Sequence, residues 1–306
     1  MDRRDAVIAL VAPGATLAWP APLLAQTEKQ FRIATVGFSE EITKPWLGEL
    51  LAGLRELDYV VGRNLVVDVR YDNGDNSKQS ALLDELIARK PDVLFGLQAR
   101  AVEMRKKTTT IPIVVILSLD PVAAGLAQSL RRPGTNVTGS ASFGLELIGK
   151  HVELLTEIVP KMSRVVFLGA PLPLSPGLAA MEQAVRTASA AKGLTLIVAR
   201  ARDREGLALA FAMLEKERPE GIVVPGTITA IALRDEIIAH ARRLRLPSIS
   251  AVTGALWAEA GGLVFYGENV LHAWRAAATY VDKILKGANP VEIPLSKPPG
   301  SSSSST

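Results

Sequence analysis

Apolar residues come in short runs separated by amphipathic stretches, and their spacing alternates between the two regular periods. FRIATVG (Phe31 to Gly37) reads as a short buried strand. Trp46, Leu50, Leu54 and Leu57 then recur at three-to-four spacing, one apolar face of a helix. Leu65 to Tyr71 alternates and predicts a second strand. Asp75, Asn76 and Ser77 supply N-cap chemistry for a helix through Arg89, with Leu82, Leu83, Leu86 and Ile87 facing inward. Asp92 to Gly96 and Ile113 to Leu117 are the next strands. Pro121 stands where the first turn of a helix tolerates proline, and PVAAGLAQSL continues it. RRPGTNVTG (Arg131 to Gly139) reads as a turn-rich connector to Ser140.

The second half repeats the first. Helix, charged-Pro-acidic turn, apolar strand, helix and Pro-led strand occur as ELIARKPDVLFG with TIPIVVIL, and again as MLEKERPEGIVVPG with RLPSISAV. Helices are predicted over Leu145 to Val159, Gly177 to Ala191, Glu205 to Glu217 and Ala230 to Leu244. SRVVFLG, TLIVAR, GIVVPG, SISAV and GGLVFYG are the intervening strands, and an amphipathic helix runs from Asn269 to Lys286. Repeated β-α units predict α/β architecture: two doubly wound parallel-sheet lobes with a cleft between them. The crossings are expected near Ser140 to Gly144 and Phe265 to Glu268. That assigns 26–142 plus 268–290 to lobe 1 and 143–267 plus 291–299 to lobe 2, with a GSSSSST tail at 300–306.

The N-terminus changes the picture. Residues 1–25 read Arg3-Arg4, a broken apolar stretch and LLA before polar QTEKQ, the order of an export signal with cleavage after Ala25. Pro13, Gly14, Pro20 and Pro22 interrupt it too often for a membrane-spanning helix. The expected location is periplasmic, with Sec and twin-arginine routes both open. The chain has no cysteine, which excludes disulfides and thiolate metal sites. Lys plus Arg number 35 against 31 Asp plus Glu, and the basic residues are scattered. A nucleic-acid binder would mass them in a stripe with aromatics, so no nucleic-acid partner is expected.

Ligands of open α/β sheets sit beyond the carboxyl ends of the strands. The residues there include Phe38, Ser39, Gln98, Ala99, Arg100, Asp120, Thr227 and Thr253. Several are small hydroxyl or amide groups beside helix starts, suited to hydrogen-bonding a polar solute. Each alone could be an ordinary cap. Asp120, before Pro121, could cap a helix or take a ligand's amino group. Catalytic constellations are thin: His151, His240 and His272 fall within helices, and GxGxxG, GxxxxGK[ST] and GxSxG motifs are absent. Neither a metal, a cofactor nor a catalytic group is expected.

GLRELDYVVGRNLVVDVRY, TIPIVVILSLDPVAAGL, RRPGTNVTG, LELIGKHVELLTEIVP, AGGLVFYGENV and AATYVDKILKGANP together resemble ABC-transporter substrate-binding proteins of the tryptophan/tyrosine-type family, from about Phe31 to Pro294. The resemblance implies a type I periplasmic-binding-protein-like fold that captures a small solute, in some members an aromatic amino acid, and delivers it to a membrane permease; for this chain an amino acid or an organic acid is expected. It also implies that the loop after the third strand contacts the solute. There Gln98 replaces a threonine and Arg100 a small residue, while Asp120 matches the family's acidic position. An arginine at Arg100 would offer a planar fork to a carboxylate, or would point into solvent from the first turn of its helix. A cytosolic ligand sensor of the same fold and an α/β enzyme are the competing expectations.

Overall fold

Alternate residues along each central strand face opposite apolar layers, and that alternation builds the two lobes. The computed structural model describes residues 29–296 apart from 119, 143, 173, 175, 252 and 253. The expected export signal, the 300–306 tail and Thr253 lie outside the described residues. In the first sheet β1 (Phe31–Gly37), β2 (Leu65–Tyr71), β3 (Val93–Leu97), β4 (Ile113–Ser118) and β5 (Val137–Ala141) run parallel in the order β2-β1-β3-β4-β5. Ile33, Phe95, Val114 and Ile116 face α1 (Glu40–Glu56) and the C-terminal helix. Ala34, Val36, Leu94, Ile113 and Val115 face α2 (Gln79–Ala88) and α3 (Gln98–Lys107).

The second lobe repeats this plan. α4 (Gly144–Ile158) leads into β6 (Arg164–Gly169), then α5 (Pro176–Ala191), β7 (Thr195–Arg200), α6 (Arg204–Glu217) and β8 (Gly221–Val224). α7 (Ile228–Ala232), α8 (Arg234–Arg243), β9 (Ser248–Ser250), α9 (Gly254–Glu259) and β10 (Val264–Phe265) complete it. The sheet order is β10-β9-β8-β6-β7, the first lobe's order read from the other side. Val165, Phe167, Val223 and Ile249 pack toward α4 and α5, and Val166, Leu168, Ile222 and Val224 toward α6 to α8. The α6–α8 layer and the first lobe's α1 layer belong to one continuous apolar cluster.

α10 (Val270–Leu285) lies on α1 of the first lobe. Trp274 meets Trp46 at 5.9 Å between ring centroids, and Gly53 lets the helices touch. A Cβ on Gly53 would stand 2.6 Å from the Arg275 carbonyl. Tyr59 Oη donates to Asp282 at 3.0 Å; burial, then that carboxylate, push the phenol up to about 12.

Five local expectations are corrected. Residues 137–141 form β5 rather than a connector, and Gly139 makes this possible: at φ 134 its missing Cβ leaves room for the Val115 carbonyl, where the β4 register shifts. Residues 121–125 form turns, not a helix, as Gly125 turns left-handed at φ 70. The helix expected over 230–244 breaks at Leu233 into α7 and α8, and α9 appears where no helix was expected. The segment 291–296, expected with the second lobe, lies on the first instead. Gly134 N donates to the Val291 carbonyl, Thr138 Oγ1 to that of Ile293, and Leu295 N to that of Leu130. Buried Ile293 and Leu295 anchor it, and Ser296 bridges to Ser140.

Candidate functional site

Two connections join the lobes, and each leaves the carboxyl end of a strand. One runs from β5 into α4, the other from β10 into α10. The carboxyl edges of both sheets therefore flank the crossings. In a 2-1-3-4-5 sheet the ligand crevice opens where the winding reverses, between the first and third strands. Those ends are Phe38 and Gln98 in the first lobe, and Ala170 and Gly226 to Thr227 in the second.

Ser39 caps α1: its backbone is extended (φ −134, ψ 164) and its Oγ accepts from Ile42 N at 3.4 Å. Glu40 and Glu41 follow in the first turn, where the helix dipole favours acids. Thr227 caps α7 by accepting from Ala230 N at 3.2 Å. Asp120 holds a turn instead, its Oδ1 accepting from Val122 N at 3.1 Å and Ala123 N at 2.9 Å. Gln98 Oε1 accepts from Asp120 N at 3.3 Å, tying the β3 end to the β4 end. Leu117, just before that loop, holds φ 52 with its N–H on Ser140 Oγ at 3.0 Å. A left-handed leucine is strained, and such positions gather at functional sites. Ala99 is exposed.

Arg100 sits elsewhere than either expectation placed it. Its side chain is 2% exposed, so it does not point into solvent. Nη1 pairs with Asp72 Oδ2 at 2.7 Å, and that carboxylate is fully buried. Asn76 Oδ1 lies 3.4 Å from the same nitrogen. The guanidinium carbon also lies over the Phe38 ring, 4.1 Å from its centroid. Burial lowers the guanidinium below its ordinary value, and Asp72 opposes that shift. A cation in the first turn of a helix faces the dipole's positive end, so it needs such an anion. Nη2 is buried with no hydrogen-bond partner. The half-buried Phe38 ring also packs against the apolar cluster shared by the lobes.

Asp72 was not legible from the sequence: it follows β2, beside the strand ends that carry the candidate residues rather than among them. An arginine in a helix's first turn, beside a loop expected to be small, was the signal that a carboxylate had to be near. The second lobe shows the same economy. Arg200, ending β7, donates to the Ala170 carbonyl at 2.7 Å and to Glu182 Oε2 at 2.7 Å, fixing the loop after β6. A small pocket opens there, lined by Gly169, Ala170, Thr227, Thr229, Ala230 and neighbouring apolar residues. Phe38 stacks on Arg100 and Gln98 bonds Asp120, whereas Thr227 stands in the opposite lobe.

His151 is fully buried in α4, its Nε2 2.5 Å from the Tyr266 carbonyl in the second crossing. His240 stacks on Phe211 at 4.8 Å. Among the described residues, no group of three His, Cys, Asp or Glu could hold a metal ion, and no helix is long and apolar enough to cross a membrane.

Two doubly wound lobes joined at the carboxyl edges of their sheets define the periplasmic-binding-protein-like class. The chain belongs to the ABC transporter substrate binding protein family, whose model matches residues 44–303. It is similar to a tyrosine-binding protein of Clostridioides difficile (strain R20291), 27% identical over 135 residues. That alignment takes in 42% of this chain and 39% of the relative's length. Among solved structures, a conserved domain protein from Vibrio cholerae superposes with a TM-score of 0.80 at 26% identity, covering 90% of this chain and 91% of that one. An ABC domain in complex with L-Trp from Streptococcus pneumoniae superposes at 0.78 with 20% identity, covering 88% and 89%.

Proposed function

We propose that this protein captures a small solute between its two lobes and hands it to the membrane permease of an ABC import system. The observation that carries the reading is the pair of sheets of identical strand order, with their carboxyl edges on the side of the crossings. Family membership and the L-Trp complex of a protein with the same fold support it. The solute is an amino acid or an organic acid, bound by the loops bearing Phe38, Ser39, Gln98, Ala99, Asp120, Thr227 and Thr253. Binding occurs without turnover: Asp120 is engaged in a turn and Arg100 in an ion pair, and His151 is sealed in the core. The work is done in the periplasm, after removal of residues 1–25.

Native mass spectrometry of freshly purified protein tests this, followed by thermal shift with the solute it carries. A hundredfold excess over Kd should raise stability by about 2.7 kcal/mol with the solute unchanged. Consumption of the solute, or the absence of any stabilising amino acid or organic acid, would overturn the reading.

A further inference from the structure

Arg100 is among the largest fully buried side chains, and its charge is neutralised inside the protein by Asp72. A buried ion pair is a poor way to gain stability, since desolvation offsets much of the attraction. What this pair touches is therefore informative. Asp72 follows β2, Arg100 opens α3 after β3, and Phe38 follows β1. Three adjacent strand ends thus meet in one stack, with the ring outermost. One face of the ring takes the guanidinium, and the side chain packs onward against the apolar cluster that runs between the lobes.

We propose that Asp72 and Arg100 are positioning residues that hold the Phe38 ring as a wall of the solute site. This rests on the solute-capture reading. With a guanidinium behind it, the ring's outer face loses part of its negative potential. It suits the planar, electron-rich or carboxylate-bearing part of a solute and disfavours an ammonium group laid against it. Asp72 keeps the guanidinium flat under the ring, and without Asp72 the buried cation would seek water and release the stack.

The probes are L-tryptophan, L-tyrosine and benzoate, titrated by calorimetry into the wild-type chain and into Asp72→Asn, Arg100→Met, Arg100→Lys, Phe38→Leu and the Phe38→Leu/Arg100→Met double variant. For whichever probe binds the wild type, Asp72→Asn and Arg100→Met should each weaken binding by roughly five- to thirtyfold. Arg100→Lys keeps the charge but not the planar stack, and should lose about as much. With Phe38→Leu in place, Arg100→Met should change affinity by less than about twofold, because both act through the ring. Losses that add in the double variant would overturn the proposal. NMR of protein carrying 13C-labelled phenylalanine provides a reading without solute: the Phe38 ring signals should shift and broaden in Asp72→Asn and Arg100→Lys. Unchanged signals in folded variants would overturn the proposal whatever the titrations show. If no probe binds the wild type while the ring signals respond, the choice of solute class has failed and the positioning of Phe38 stands.

Discussion

Ser142 Oγ donates to Glu268 Oε2 at 2.5 Å, so the two stretches that cross between the lobes are bonded to each other. The same oxygen accepts from Gly144 N at 2.9 Å, which shapes the entry into α4. Closure about these crossings must carry both segments together. Ser142→Ala should lower the unfolding free energy by about 1.5–3 kcal/mol, the usual value of a hydrogen bond to a charged group. It should also widen the distribution of lobe angles seen by small-angle scattering. Unchanged scattering and stability would show that the bond does not restrain the crossings.

Gly53 and Gly48 lie on the same helix and should respond in opposite senses. A Cβ at Gly53 would meet the Arg275 carbonyl at 2.6 Å and the Ala278 Cβ at 2.9 Å, whereas one at Gly48 meets nothing within 4 Å. Gly48→Ala should gain roughly 0.5–1 kcal/mol from helix propensity alone. Gly53→Ala should lose about 1–3 kcal/mol from overpacking, outweighing the same gain. Urea denaturation of the two variants measures both.

His151 should make the protein weaker in mild acid. Burial lowers its imidazole below the ordinary value, and the bond to the Tyr266 carbonyl only partly opposes this. The folded state therefore holds the ring neutral while the unfolded chain accepts a proton near pH 6.5. The stability linked to this group is complete above about pH 6.5 and is lost as the pH falls below it, at up to about 1.4 kcal/mol per unit. His151→Gln should flatten that slope between pH 6.5 and 5, read from urea midpoints. Parallel slopes in the two proteins would refute the assignment.

Asp120 separates a turn-forming role from recognition. Asp120→Asn keeps an acceptor for Val122 N and Ala123 N and should leave stability nearly unchanged, while Asp120→Ala removes both turn hydrogen bonds and should cost about 1 kcal/mol. If the Asn variant is equally stable but binds its solute more weakly, the second carboxylate oxygen meets an ammonium group.

The strands were legible wherever a run of β-branched residues carried them. Phe31–Gly37 and Leu65–Tyr71 match the expected bounds, and Val93–Leu97 differs by one residue. β5 was hidden because VTGSA has one strongly apolar residue and gains its burial from neighbours, not from its own pattern. The break at Leu233 leaves the apolar period of that helix almost intact, so periodicity could not show it. The helix caps at Ser39 and Thr227 follow from residue type. The role of Arg100 does not, because its partner Asp72 is 28 positions away and is brought to it only by the order β2-β1-β3.

The placement of α10 sets the order in which the molecule can be finished. The second lobe draws its sheet and helices from one unbroken stretch, α4 to β10. The first lobe lacks part of the covering for one face of its sheet until Ala273, Trp274, Ala277 and Val281 join α1 there from late in the chain. A ribosome or a translocation channel that delivers the chain from its N-terminus thus exposes the earlier lobe longest. That lobe, first in sequence, is the last to become water-tight, and its unfinished face is what a chaperone would meet.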